Sequence, residues 1–285
     1  MTTRRALFAA LVLLMTILAC VVPGLPAASQ PAPTPDTRLY TMVAETVSVA
    51  LEQTQQAVPT PTTIPTSTST PFPTITPSPT PSADDSGSSL NKLEDGTAKF
   101  IDERGKYEIF ISQGWLPVRI NQQEYLDAWL LPELTNPAMQ RSLSSIEKLN
   151  PDQLRLFALD TQEGHAEIDF ITNINFYWDQ QNEMSLENDE GLKAEAAALP
   201  KTMTGLEVTE TKLTTTASGI PIGVITSKTP VTTLDGVEVE LFQKQVFAKV
   251  DSGILVITLS TTEELKQTVL PQFDAMIETF ALKNQ

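Results

Sequence analysis

Alternating apolar and polar positions are concentrated in the C-terminal part of the chain, where four strand-like segments follow one another. They cover residues 206–216, 220–228, 237–250 and 253–260, with turn signals at Ser218-Gly219, Asp235-Gly236 and Asp251-Ser252-Gly253. Consecutive strands joined by short turns favour an antiparallel meander. Residues 254–257, Ile-Leu-Val-Ile, are apolar on both faces of a pleated strand and predict a central strand that is covered on both sides.

Earlier segments predict further strands. Residues 99–102 and 107–112 flank Glu103-Arg104-Gly105-Lys106, and Tyr107, Ile109 and Ile111 share one face, which indicates a half-buried strand in a hairpin. Gly114-Trp115 breaks this alternation, and a third strand follows to Ile120. Residues 154–160 and 173–178 are rich in apolar and aromatic side chains and predict two more strands.

Helical patterns lie before, between and after these strands. Residues 121–152 are helical in pieces separated by prolines, and residues 191–199 form an Ala-rich helix that Pro200 closes. A last helix follows the capping-box spacing of Thr261-Thr262-Glu263-Glu264. Its apolar stripe consists of Leu265, Val269, Phe273, Met276, Ile277 and Phe280. Helices around a meander predict an α+β sandwich.

The N-terminus has the pattern of an export signal. Arg4 and Arg5 precede the uncharged, mostly apolar residues 6–22. Within this run, Ile17-Leu18-Ala19-Cys20 resembles the lipobox of bacterial lipoproteins. The resemblance implies cleavage between Ala19 and Cys20 and a diacylglyceryl thioether on Cys20, and two acyl chains suffice for stable anchoring. The alternatives are cleavage near Ala27-Ala28 and an uncleaved anchor.

The segment between the signal and the strands is poor in packable residues. Residues 20–58 contain one short amphipathic pattern, in which Leu39, Val43, Val47 and Leu51 recur every four positions. In residues 59–81, twenty of 23 positions are Pro, Ser or Thr. This composition predicts a disordered, extended linker over residues 59–90. We therefore divide the chain into a signal peptide (1–19), an N-terminal segment (20–58), a linker (59–90) and one globular domain (91–285).

Charge and cysteine content exclude several functions. From residue 91 onward there are 16 Lys and Arg against 30 Asp and Glu, a net charge of −14, so a nucleic-acid backbone would be repelled. The chain has one cysteine, Cys20, and one histidine, His165. Disulfides within the chain and zinc sites of Cys and His are therefore excluded. We expect no metal and no cofactor.

The globular domain resembles the PsbP-like family. The resemblance rests on Phe100, Gly105, Tyr107, Ile109 and Gly114-Trp115, followed by a long hairpin, an apolar strand and a terminal helix with Phe273 and Phe280. It spans most of residues 97–282. It implies an α/β/α sandwich around an antiparallel sheet, and a non-catalytic extrinsic subunit or binding module. The family has no catalytic residues to transfer to this chain.

No pattern in the sequence indicates a reactive centre. His165 lies beside Gly164 with no Gly-x-Ser-x-Gly motif, so we expect an exposed polar residue. Residues 187–191, Glu-Asn-Asp-Glu-Gly, lack the spacing of a calcium loop and fit a solvated helix start. Trp115, Trp129 and Trp178 could line a ligand face, but their apolar surroundings favour core packing.

These patterns predict a lipid-anchored, non-enzymatic accessory module at the extracytoplasmic face of a bacterial membrane. Its expected partners are the membrane, through the lipid on Cys20, and an unidentified protein, with no role for nucleic acid. Two alternatives stay open. The domain could bind a small molecule or sugar in an apolar pocket with convergent polar groups, or it could be a hydrolase that uses two facing carboxylates.

Overall fold

The computed structural model describes residues 86–166, 170–233 and 236–283. The predicted signal peptide (1–19), its cleavage site at Ala19 and Cys20, the segment 20–58 and most of the linker lie outside these ranges. Within them the chain forms eleven strands, four α-helices and one short 3-10 helix.

The strands are β1 (Ser88–Lys92), β2 (Ala98–Asp102), β3 (Tyr107–Ile111), β4 (Trp115–Val118), β5 (Leu154–Asp160), β6 (Asn173–Asp179), β7 (Glu207–Thr215), β8 (Pro221–Thr232), β9 (Glu238–Lys249), β10 (Ile254–Thr262) and β11 (Ala281–Leu282). The helices are α1 (Gln123–Ala128), α2 (Pro137–Ile146), α3 (Glu190–Thr202) and α4 (Lys266–Glu278), and the 3-10 helix spans Pro132–Thr135.

The strands form two antiparallel sheets. The large sheet has seven strands in the order β4-β5-β6-β10-β9-β8-β7, and the small sheet has four in the order β1-β2-β3-β11. The meander predicted from the sequence is β7 to β10, and β10 lies between β9 and β6 as a fully buried central strand. The predicted hairpin of β2 and β3 belongs to the small sheet, where β11 pairs with β3.

The large sheet lies between two outer layers. One of its faces packs against the small sheet and α4, in a core that contains Phe100, Tyr107, Phe176 and Phe273. The other face carries two large apolar clusters and a small one formed by Phe170, Val231 and Leu241. One large cluster packs beneath α1 and α2 over β4 and β5, and the other packs beneath α3 over β8, β9 and β10. The predicted α+β sandwich around an antiparallel sheet is confirmed.

Two predicted helix boundaries are wrong. Helix α3 continues past Pro200 to Thr202, so the proline lies in its last turn, where its missing N–H removes a single helical hydrogen bond. The capping box at 261–264 is absent, because Thr261 and Thr262 pair with β9 as part of β10. Helix α4 begins after Leu265 without a side-chain cap, although the hydroxyl of Thr262 accepts a hydrogen bond from the backbone N–H of Leu265 at 3.3 Å.

The first strand lies across a predicted boundary. We expected the linker to end at residue 90, but β1 begins at Ser88 and pairs with β2 along its whole length. Ser88, Ser89 and Asn91 give no apolar alternation, so the sequence pattern does not mark this strand. Its position depends on distant partners, because Arg119 donates a hydrogen bond to the carbonyl of Ser88 at 2.7 Å.

Candidate functional site

An exposed apolar surface lies at α1 and the turn that follows it. Leu126, Trp129 and Leu130 are 57%, 38% and 84% exposed. Residues three and four positions apart share one face of a helical turn, so the three side chains form a single patch. We call Leu126, Trp129 and Leu130 the α1 surface. The default expectation that Trp129 is a core residue is wrong, whereas Trp115 and Trp178 are buried at 6% and 3% exposed.

Buried neighbours hold the α1 surface in place. Tyr125 and Ala128 point inward from α1 into the cluster formed with α2 and β5. The ring of Tyr125 meets the ring of Trp129 edge to face, with centroids 6.3 Å apart. The Tyr125 hydroxyl donates a hydrogen bond to the carbonyl of Leu143 at 3.4 Å. The patch is therefore presented by an anchored turn, which lowers the entropy lost on binding.

The charges around the α1 surface are acidic. Asp127 and Glu133 are exposed and have no cationic partner in the described part of the chain, whereas Glu124 is paired with Arg119. The carboxylate of Asp127 accepts a hydrogen bond from the side-chain amide of Gln123, at 2.7 Å. An apolar patch with an acidic border is complementary to an apolar groove with basic residues at its edge.

A second feature is a buried polar strip between the two large apolar clusters on the helix-covered face of the large sheet. Two rows of side chains cross β5, β6, β10, β9 and β8 in register. The first row is Phe157, Asn175, Thr258, Gln245 and Ile225, and the second is Leu159, Asn173, Ser260, Gln243 and Ser227. Both rows are polar on β6, β10 and β9, the three strands in the middle.

Several oxygen atoms on this face lack a hydrogen-bond partner within the described residues. They are Asn173 Oδ1, Thr229 Oγ1, Gln245 Oε1 and Thr258 Oγ1, and each of these residues is at most 3% exposed. Leaving such a group without a partner costs about 1–3 kcal/mol. All four residues are neutral, so the strip is suited to neutral hydrogen-bonding groups. Asn173 and Asn175, like Gln243 and Gln245, alternate in the sequence, which could have indicated the strip.

His165 is not the exposed residue that we expected. Its Nδ1 atom lies 2.6 Å from Oδ2 of Asp160, and the side chain is 14% exposed while that of Asp160 is 1% exposed. Asp160 also accepts hydrogen bonds from the backbone and side chain of Gln162. A carboxylate that orients an imidazole is one part of a hydrolytic triad. Within the described residues, no hydroxyl or thiol is hydrogen bonded to this histidine.

The acidic segment 187–191 leads into α3, as predicted. Glu190 lies in the first turn of the helix, and Asp189 precedes it and pairs with Lys193 at 2.5 Å. Among the residues described, no group of three or more His, Cys, Asp or Glu side chains could hold a metal ion. Within this same part of the chain, no helix has the length and hydropathy needed to span a membrane. The facing carboxylates of a hydrolase stay a prediction.

The fold and these surfaces define an α+β sandwich with an exposed apolar patch and a buried polar strip. No family model matches the sequence, and no curated protein matches it. Solved structures do show likeness. The cyanobacterial PsbP protein of Synechocystis is 14% identical and has a TM-score of 0.39, with 66% of this chain and 93% of that chain covered.

Two further structures show a comparable likeness. LpqN of Mycobacterium tuberculosis, described as involved in cell envelope biogenesis, is 10% identical with a TM-score of 0.38, covering 69% of this chain and 91% of that one. The Ran-binding protein Mog1p of Saccharomyces cerevisiae is 11% identical with a TM-score of 0.40, covering 69% of this chain and 97% of that one. At these identities the likeness concerns the fold alone.

Proposed function

We propose that this protein is a bacterial lipoprotein whose folded domain is a non-enzymatic accessory module that binds a protein partner at the extracytoplasmic face of the membrane. The observation that carries the proposal is the α1 surface. Leu130 is 84% exposed next to Trp129 on a turn fixed by buried Tyr125. Exposed Trp and Leu side chains on a fixed element are typical of protein interfaces, in which Trp is a frequent hot spot.

The partner that fits this surface has an apolar groove bordered by Lys or Arg. The apolar groove accommodates Leu126, Trp129 and Leu130, and the basic border faces Asp127 and Glu133. The net charge of −14 from residue 91 onward favours the same partner, since long-range attraction speeds encounter with a basic protein. The same charge disfavours direct contact of the α1 surface with anionic lipid.

Variants of the full chain test the α1 surface. Leu130→Asp places a charge in the centre of the patch and should lower the recovery of a cross-linked envelope partner at least about tenfold, the loss expected from one hot-spot contact. Leu93→Asp is the matched control, because Leu93 is also exposed, at 41%, but lies outside the patch. Asp127→Lys with Glu133→Lys should weaken the same complex. Equal loss with Leu93→Asp, or cross-linking only to a second copy of this chain, would contradict the proposal.

The anchor has a separate test. Cys20→Ser removes the sulfur to which the lipid would be attached, so the protein should leave the membrane fraction. Mass spectrometry of the wild-type protein should find a diacylglyceryl group on Cys20 at the new N-terminus. An unmodified thiol, or unchanged partitioning of the variant, would contradict the anchor without affecting the α1 surface.

A second candidate function is binding of a small neutral molecule such as a sugar, and the polar strip favours it. Titration of the full chain with neutral monosaccharides tests this candidate. Binding that Thr258→Val abolishes would support it. Absence of binding, together with a higher unfolding temperature of Thr258→Val, would contradict it. If no ligand binds the strip, replacing a buried hydroxyl that has no partner by a methyl group should raise stability.

A further inference from the structure

A cavity of about 600 Å³ lies apart from the α1 surface and the polar strip. Five segments line it, namely the turn between β2 and β3, residues 185–187, residues 220–221 at the start of β8, residues 249–251 at the end of β9, and residues 282–283. Backbone hydrogen bonds join three of them, from Lys283 to the carbonyl of Lys106 at 2.8 Å and from Asp251 to that of Gly105 at 3.2 Å. The volume lies within the range of about 300–1,000 Å³ that is usual for small-ligand sites.

The lining of the cavity combines apolar side chains with lysines. Ile220, Val250 and Leu282 supply apolar surface, and Val250 belongs to the main core while Leu282 is 44% exposed. Three lysines, Lys106, Lys249 and Lys283, also line it. A lining of apolar side chains and lysines matches a molecule that has an apolar body and an anionic end.

Two of these three lysines have no ion pair among the residues that the structure describes. Carboxylates outnumber cations from residue 91 onward by 30 to 16, and most of the cations are ion paired. Lys283 pairs with Glu103 at 2.5 Å. Lys106 and Lys249 have no ion pair in the part of the chain that the structure describes, although Glu187 and Asp251 also line the cavity. Two lysines without an ion pair in the described residues therefore line one cavity.

We propose that this cavity binds an amphipathic organic anion. The anionic group is held by Lys106 and Lys249, and the apolar body lies against Ile220, Val250 and Leu282. This site is independent of the protein-binding function proposed above, because none of its residues belongs to the α1 surface. The source of the anion, a free carboxylic acid or the headgroup end of a lipid, does not alter the recognition.

Calorimetric titration of the full chain with phenylbutanoate tests the proposal. Phenylbutanamide is its neutral counterpart of nearly the same shape, and acetate supplies the carboxylate alone. Phenylbutanoate should bind at least about tenfold more tightly than phenylbutanamide and acetate, and added salt should reduce this difference. Equal affinity of the acid and the amide, or no binding of the acid, would overturn the proposal.

Matched variants separate the site from general charge effects. Lys106→Gln with Lys249→Gln should weaken binding of phenylbutanoate about tenfold and leave binding of the amide unchanged, since two partly solvated charge contacts are lost. Lys148→Gln with Lys201→Gln changes the net charge equally at positions outside the cavity and should leave both affinities unchanged. Leu282→Ser, at an exposed position, should weaken the acid and the amide alike. Equal effects of the two lysine double variants would overturn the proposal.

Discussion

At the scale of single residues, the pair of Asp102 and Arg155 connects the two sheets. Arg155 Nε lies 2.6 Å from Asp102 Oδ2, and the two side chains are 1% and 0% exposed. Asp102 also accepts hydrogen bonds from the backbone N–H groups of Arg104 and Gly105, and Arg155 donates to the carbonyls of Ser86 and Pro151. Each guanidinium nitrogen of Arg155 and each carboxylate oxygen of Asp102 thus has at least one partner, which offsets the burial of charge.

Removing one member of this pair should be costly. Arg155→Met leaves the Asp102 carboxylate buried without its counterion, and we expect the free energy of unfolding to fall by about 3–5 kcal/mol. Urea denaturation measures this change. Lys193→Met is the matched control, because its pair with Asp189 is 65% and 48% exposed and should contribute less than about 1 kcal/mol. Similar losses in the two variants would show that the buried pair does not connect the sheets energetically.

At the scale of elements, the backbone of the turn between β9 and β10 lies very close to the backbone at the end of β6. Gly253 has φ +76°, and a Cβ atom there would lie 2.0 Å from the carbonyl oxygen of Asp179 at the end of β6. Gly219, in the turn between β7 and β8, has φ +82° and open space around it. Both turns need glycine for their backbone angle, but only the first has no room for a side chain.

The two glycines give a direct comparison. Gly219→Ala should cost about 1–2 kcal/mol, the strain of a left-handed alanine. Gly253→Ala should cost more than about 3 kcal/mol, because the methyl group also forces β6 and β10 apart at their paired ends. Urea midpoints of the two variants measure the difference. If the two losses were equal, the contact with Asp179 would have no energetic weight.

At the scale of the whole molecule, buried tyrosines link stability to alkaline pH. Burial raises the pKa of Tyr177 from 10.0 to about 12, with a smaller contribution from the charge of Asp179. Burial also raises the pKa of Tyr107 well above 10.0, and the nearby charge of Asp102 adds to the effect. In the unfolded chain these phenols ionise near their ordinary value, so the unfolded state loses protons first as the pH rises.

Stability should therefore be fully present below pH 10 and fall as the pH rises towards the raised pKa of about 12. Each proton held only by the folded state contributes about 1.4 kcal/mol for each pH unit in this window. Tyr177→Phe should make the decline shallower and should leave the pH dependence near neutrality unchanged. Urea midpoints between neutral pH and pH 12 measure this change. An unchanged alkaline slope in the variant would contradict the assignment to Tyr177.

The predictions from the sequence succeeded where the signal is local. The meander of β7 to β10, the β2–β3 hairpin and α4 followed from alternation, turn residues and a helical stripe, each contained within a short window of sequence. The sequence also sets the charge of the domain, and Ala19 and Cys20 predict a lipid-anchored, extracytoplasmic location. Strand ends and helix starts were less predictable, because Thr261 and Thr262 pair with β9 and so extend β10 into the segment that was expected to begin the helix.

Only the tertiary structure decided which distant residues meet. No sequence pattern marks β1, which is mostly polar, or β11, which has only two residues. Both form because neighbouring strands supply their hydrogen bonds. Exposure of Trp129, convergence of the polar strip and the lysines at the cavity depend in the same way on packing between segments far apart in sequence. Local sequence does not predict such contacts, because the burial of a residue depends on which distant segments of the chain pack against it.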